Sequence, residues 1–329
     1  MINFRFHLVS LIAVFLALAL GIVVGSTVID RAIVDGLKAQ IDRVERNAEE
    51  QHRENERLEG EMHEVRTFAE AEIPFALEGR LTSDVPVPVV IVALRGASED
   101  DTHAVVEAVR QAGAVAPAVL WLEPAWVADD LDERTRLRSI VGLPRADVDD
   151  LRRVALEQLA ARVAAGEFVV AVPPQEPPPA DAPPADALPD PLVTLVDAGL
   201  VTVDRAGGAD FDLAAYPGPG ARVAVVADAD GEAVDDLFPA AVRAMADASL
   251  LTLGAELAAD PSGKKRGTVA ESVRSSDDLK DRVSTVDHAS EASGRLAVVL
   301  ALADLGRGQR GHYGTASGAS ALIPGPSGP

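Results

Sequence analysis

Residues Leu8 to Ile29 read LVSLIAVFLALALGIVVGSTVI, a run of 22 residues without a formal charge. As a helix this run rises about 33 Å, enough to cross the hydrocarbon core of a bilayer. A cleavable export signal is the competing reading, and Ala17-Leu18-Ala19 has the small residues of a cleavage site. Apolar sequence continues for ten residues beyond that point, so the run is expected to remain as an anchor. Arg5, His7 and the amino terminus precede it. The positive-inside tendency then predicts residues 1–7 in the cytoplasm, residues 8–29 in the membrane and the bulk of the chain outside. Arg31 and Lys38 on the far side are accompanied by Asp30 and Asp35. Ala13, Ala17, Gly21 and Gly25 recur every four residues, a spacing of small side chains that lets two helices approach closely.

A second periodicity follows in residues 30–73. Val34, Leu37, Ile41, Val44, Ala48, Gln51, Asn55, Leu58, Met62, Val65 and Ala69 alternate by three and four residues, with charged residues on both sides. Those are the a and d positions of a coiled coil, and they predict a helical stalk about 53 Å long. Asn55 at an a position pairs best with its own symmetry mate, which favours a parallel dimer in one register at some cost in stability. Between g and the following e position, Glu61 would meet Arg66 of a partner, whereas Glu54 would face Glu59. The centre of the stalk is therefore expected to be its weakest part. Span and stalk together predict a homodimer joined through Gly21, Gly25, Leu37, Ile41, Val44, Asn55, Leu58, Met62 and Val65.

From residue 74 to 322 the pattern changes. Val87–Leu94 is an apolar, β-branched run of the kind buried on both faces of a sheet. A helix capped by Ser98 follows, then a strand at Val115–Leu122, helices near Ala128–Val141 and Val148–Ala165, and a strand at Phe168–Val172. Residues 173–191 hold nine prolines among nineteen positions and predict an extended loop. Beyond it come a helix at Leu192–Ala198, strands at Leu200–Val203 and Arg222–Ala227, a helix at Glu232–Ala248, a strand at Leu250–Leu253 and a last helix over Glu291–Leu305. Strands alternating with helices predict an α/β domain with a largely parallel sheet. A Gly- and Pro-rich tail, 323–329, completes the chain.

The chemistry is sparse. The formal charge of −22 disfavours nucleic acid and anionic lipid as general partners. The absence of cysteine excludes disulfides and thiolate sites. The first strand leads into Arg95-Gly96-Ala97-Ser98-Glu99-Asp100, whose acids occupy the place a phosphate would need. Asp228 and Asp230 in the turn after Ala227 suit a helix cap or a hard cation. No P-loop, nucleophile elbow or HExxH spacing occurs, so an enzyme is not expected and no cofactor is assigned. None of the six histidines lies within four residues of another, and His288 and His312 are the weak candidates for a metal. Lys264-Lys265-Arg266 is the one compact basic group. Two polar clusters, Ser284-Thr285-Val286-Asp287-His288 and Gly311-His312-Tyr313-Gly314, flank the last helix, which carries Gly294-Arg295. Helix capping and turn glycines are the plain account of them.

The anchor sequence HLVSLIAVFLALALGIVVGS, the stalk, the α/β domain, and the STVD, Gly294-Arg295 and GHYG motifs together resemble the actinobacterial MctB family. The resemblance extends over nearly the whole chain. It implies copper homeostasis, with a proposed pore in the outer envelope. For other members it implies septum assembly and control of cell-wall hydrolases, alongside a membrane protein facing the cytoplasm. One span cannot enclose a pore unless several chains assemble. The residues themselves favour a dimeric scaffold in the cell membrane, with copper transport as the alternative and copper binding implied by the resemblance alone.

Overall fold

A computed structural model describes residues 4–83, 87–166, 190–205, 216, 220–230, 234–257 and 267–325. The expected strand Phe168–Val172, nearly all of the Pro-rich loop 173–191 and Lys264-Lys265-Arg266 lie outside the described residues. The chain divides into two compact units, Met1–Thr67 and Phe68–Pro329.

The first unit is formed by one helix, α1 (Phe4–Leu77), whose last turns belong to the second. Phe4–Gly25 is long and apolar enough to cross a membrane, with a mean hydropathy of 2.9, and none of it is buried within the protein. Further along, Arg57 pairs with Glu54 and with Glu61 on the same helix. Glu61, expected to serve a partner's Arg66, is thus already engaged by a neighbour one turn away.

In the second unit α1 does not stop at Pro74 but runs through it to Leu77, with Ile73 and Leu77 buried against the domain. Apolar contact on one helix face holds the last turn together where proline removes a backbone hydrogen bond. The sheet has seven strands in the order β3-β2-β1-β4-β5-β6-β7. They are β1 (Val89–Leu94), β2 (Ala118–Leu122), β3 (Val201–Arg205), β4 (Arg222–Asp228), β5 (Leu251–Leu257), β6 (Ser284–Val286) and β7 (His312–Tyr313). All neighbours run parallel except β3, which lies antiparallel on β2.

Alternation along each strand feeds two layers. Val90, Val92 and Leu94 of β1, with Val223 and Val225 of β4, join Trp126, Leu156, Leu159, Phe238 and Met245 in one core. Val89, Ile91 and Ala93, with Ala224 and Val226, join Val105, Val109, Val298 and Leu302 in the other. The first layer holds α3 (Leu131–Val141), α4 (Val148–Ala165), α5 (Pro191–Asp197), α6 (Val234–Asp247) and α7 (Thr268–Arg274). The second holds α2 (Glu99–Gln111), α8 (Ala292–Gly306) and the end of α1. Continuous apolar strands are what a sheet covered on both faces requires.

Several boundaries differ from expectation. Helix α3 begins at Leu131 rather than Ala128, because a short 3-10 turn, Pro124–Trp126, intervenes and Ala128 has a positive φ of 54°. Strand β5 continues to Leu257, past the expected end at Leu253. Helix α7 and strands β6 and β7 were not foreseen, being seven, three and two residues long. Ile323, expected in the tail, packs against the second core.

Candidate functional site

The two polar motifs meet where β6 is flanked by β5 and β7. Thr285 N donates to Gly311 O at 3.1 Å and Asp287 N to Tyr313 O at 3.2 Å, while Gly311 N donates to Ser284 Oγ at 3.2 Å. The STVD residues are therefore a strand and its exit, not the cap of the last helix. The residue flanking α8 at its N-terminus is Glu291, which makes no capping side-chain bond.

Asp287 is the centre of this junction. Its Oδ1 accepts from Thr315 N at 2.9 Å, and its Oδ2 accepts from Ala316 N at 3.0 Å and from Arg274 Nη1 at 2.8 Å. Gly314 has φ of 134°, and a Cβ there would fall 2.0 Å from Asp287 Oδ1. Only glycine lets the turn close on the carboxylate. Burial disfavours the charge on Asp287, but the adjacent His288 ring, the two backbone N–H groups and Arg274 outweigh it, holding the carboxyl well below the usual range.

Arg274, on α7, has its guanidinium fully committed. Nε donates to Thr285 Oγ1 at 2.8 Å, Nη1 also to Ser317 O at 3.1 Å, and Nη2 to Tyr313 O at 2.8 Å. Thr285 Oγ1 lies 2.9 Å from His312 Nδ1, and His312 Nε2 lies 2.9 Å from Lys280 O. A carbonyl accepts only, so Nε2 carries the proton and Nδ1 accepts from the Thr285 hydroxyl. Burial pushes the His312 pKa down, in keeping with that neutral tautomer. Both ring nitrogens of His312 are spent within the protein.

His288 is fully buried, and neither ring nitrogen has a hydrogen-bond partner. Its Nδ1 stands 3.5 Å from Asp287 Oδ1, an electrostatic contact rather than a directed hydrogen bond. The Gly294-Arg295 pair acts on the same turn. A Cβ on Gly294 would sit 1.7 Å from His288 O, and Arg295 Nη1 donates to Ser290 O at 2.6 Å while Nη2 pairs with Glu70 of α1. Family-motif residues Ser284, Thr285, Asp287, Gly294, Arg295, Gly311, His312, Tyr313 and Gly314 thus converge on one corner of the domain. Together they tie the chain after β7 to the sheet.

Two functional-looking groups escaped the sequence reading. Glu256 lies buried on β5, where its carboxylate accepts from Gly267 N and from Ala270 N at the start of α7. Burial pushes its pKa up to about 7 against the pull of those donors. A lone acid within LTLGAEL was the available signal. Arg274 had none, since an arginine near the end of a short amphipathic segment is ordinary.

In the middle of the sheet, between β1 and β4, the strand order changes direction, the place where open α/β sheets bind ligands. Here Ser98 Oγ caps Asp101 N at 3.3 Å, and Glu99, Asp100 and Asp101 fill the first turn of α2. Arg95 stacks 4.5 Å over the Trp121 ring and pairs with Glu123 at 2.7 Å and Glu99 at 2.8 Å. Burial raises the pKa of Asp228, which accepts from Asp230 N. The corner is acidic and internally paired, with no phosphate cradle among the described residues.

No group of three or more His, Cys, Asp or Glu that could hold a metal occurs among the described residues. His288 lies just past the end of β6 and His312 on β7, yet the first is enclosed and the second saturated. The dimer candidates are placed differently. Leu37, Ile41, Val44, Leu58, Met62 and Val65 are 45 to 67 % exposed, and a Cβ on Gly21 or Gly25 would meet nothing within 4 Å.

A family model described as "Copper transport outer membrane protein, MctB" matches residues 1–324. The protein named Copper transporter MctB in Mycobacterium tuberculosis is 29 % identical over 333 residues, which cover 98 % of this chain and 99 % of that one. Its namesake in Mycobacterium leprae is 28 % identical over 336 residues, with the same coverage.

Proposed function

We propose, from the premise that the chain belongs to the MctB family, that it is a membrane-anchored scaffold of the cell envelope. In this reading two copies pair through span and stalk. The α/β domain, outside the cell membrane, then serves as a docking module for septum-assembly proteins and cell-wall hydrolases and has no catalytic role of its own. The observation that carries the reading is the row of exposed apolar side chains at a and d on α1, which water disfavours and a second helix would cover. The polar corner supports it too, because Arg274, Asp287 and His312 spend their hydrogen bonds within the protein and His288 is enclosed. The test is a deletion strain complemented with the wild-type chain or with Leu58→Ser/Met62→Ser. The scaffold reading expects septation defects that only the wild type repairs. Normal septa in the deletion strain would sink it.

Copper transport is the second reading, favoured by the family description and by the names of the mycobacterial relatives. Copper would then be cargo, moved along a path built from several chains, because the one candidate span among the described residues cannot by itself enclose a pore. Raised copper accumulation and copper sensitivity in the deletion strain, with normal septa, would favour it over the scaffold.

A further inference from the structure

Arg310 lies between α8 and β7. Its Nε donates to Arg282 O at 2.8 Å, which holds the guanidinium beside the turn that leads into β6, and Nη1 reaches Gly308 O only at 3.4 Å. Among the described residues no carboxylate pairs with Arg310, and its Nη2 has no partner. The bases around it are engaged: Arg274 with Asp287, Arg282 with Asp247, and Lys280 with Asp277 at 2.5 Å.

With Lys280, Asp281, Ser320, His312 and Arg274, Arg310 lines a recess of about 380 Å³. Much of that lining is already spent. Arg274 and His312 use their polar atoms inside the protein, and the Ser320 hydroxyl donates its proton to His312 O at 2.9 Å. Those side chains are walls. Open to a ligand are Nη1 and Nη2 of Arg310, the N–H groups of Lys280 that Asp277 leaves, and the exposed Asp281 carboxylate, which makes no ion pair among the described residues.

We propose that this recess binds the C-terminal carboxylate of a peptide. Arg310 takes the carboxylate through Nη1 and Nη2, Lys280 adds a second cation, and Asp281 accepts from the N–H of the last residue. The charges select that chemistry over a bare anion. Lys280 and Arg310 are offset by Asp277 and Asp281, so a phosphate dianion would meet repulsion as well as attraction. An α-carboxylate carries an N–H on the same carbon, which suits a rim where base and acid are consecutive residues. An acidic side chain holds its carboxylate farther from the nearest N–H. The net charge of −22 adds a condition, that the residues ahead of the terminus be neutral or basic. The site stands whether the chain is a scaffold or a transporter.

Saturation-transfer NMR with N-acetyl-Gly-Ala-Ala, titrated onto the full chain in detergent, tests this. A dissociation constant of about 1 mM or tighter is expected, and Arg310→Gln should raise it at least about fivefold. The Arg310 side chain is exposed, so the unfolding midpoint should hardly move, and Lys280→Gln gives a second reading of the same contact. The C-terminal amide of the same peptide should bind at least about fivefold more weakly. Asp281→Ala should also weaken the peptide, although it removes a negative charge. Tightening in that variant would assign a plain anion site and overturn the proposal. Equal affinity for acid and amide would overturn it too, as would tighter binding of N-acetyl-Gly-Glu-Ala-amide, which would put an acidic side chain in the recess. So would the absence of saturable binding up to about 10 mM, with the scaffold and transport readings left as they were.

Discussion

Arg274 and Asp287 form an ion pair with both side chains buried, Nη1 lying 2.8 Å from Oδ2. Neither charge reaches water, so each depends on the other and on the backbone groups around them. Removing Asp287 alone, as Asp287→Ala, strands a buried guanidinium and should cost roughly 3–5 kcal/mol of domain stability. Replacing both, as Arg274→Met/Asp287→Leu, should cost clearly less than Asp287→Ala. Urea titration of the full chain in detergent measures both. Equal losses would show that the pair is not the coupled unit described.

The glycines separate into two classes. Gly314→Ala and Gly294→Ala should each destabilise by about 2 kcal/mol or more, because the added methyl meets Asp287 Oδ1 in one case and His288 O in the other. Gly21→Ala should leave the domain's unfolding midpoint unchanged, as its methyl meets nothing. A tolerant Gly314 would mean that the 314–316 turn does not close on Asp287.

Glu256 gives the domain a pH dependence with an unusual sign. Its folded pKa of about 7 lies above the ordinary 4.5, so the folded state holds a proton that the unfolded state has released. The contribution is fully present below pH 4.5 and is lost as pH rises through 7, by at most about 3 kcal/mol. Asp287 has the opposite sign: its contribution is present above its ordinary value of 3.8 and is lost on further acidification. His312, its pKa lowered by burial, works in the opposite sense over part of this range, so the comparison is between proteins: the stability difference between wild type and Glu256→Gln should shift against the wild type as pH rises from 5 to 8. A difference that does not change with pH over that range would contradict the assignment.

Copper binding to the described histidines should be weak. His312 has both nitrogens engaged and His288 is enclosed, and the chain offers no thiolate. Competition with a Cu(I) chelator should show binding by the purified protein no tighter than about micromolar, little changed by His288→Ala/His312→Ala. Submicromolar stoichiometric binding that the double variant abolishes would restore copper handling as the direct function.

Asn55→Val should raise the stability of a paired stalk while loosening its register or oligomeric state. Crosslinking of single-cysteine variants along α1, with and without the substitution, reads both effects. No gain in dimer stability would place Asn55 outside the seam.

Strong local patterns were legible in the sequence and weak ones were not. Strand β1 announced itself through an unbroken apolar run, and α2 through Ser98 and three acids. Strand β3 looked the same as its parallel neighbours, because direction is set by how the connection returns and not by side chains. Helix α7, β6 and β7 are too short to develop a period, and tertiary hydrogen bonds from Glu256, Arg274 and Asp287 hold them. The STVD and GHYG motifs were visible as residues. That they grip one another depended on β6 and β7 pairing, with Thr285 beside His312 and Val286 beside Tyr313.

The two-residue strand β7 has a consequence for how partners approach. A bare sheet edge is a template on which another chain's strand can add. After β7 the chain doubles back, with Gly314 N bonded to Ala321 O and Ser320 N to His312 O, so the ladder groups an incoming strand would seek are already taken. Strand addition is blocked at that margin. Whatever docks there must be recognised through side chains.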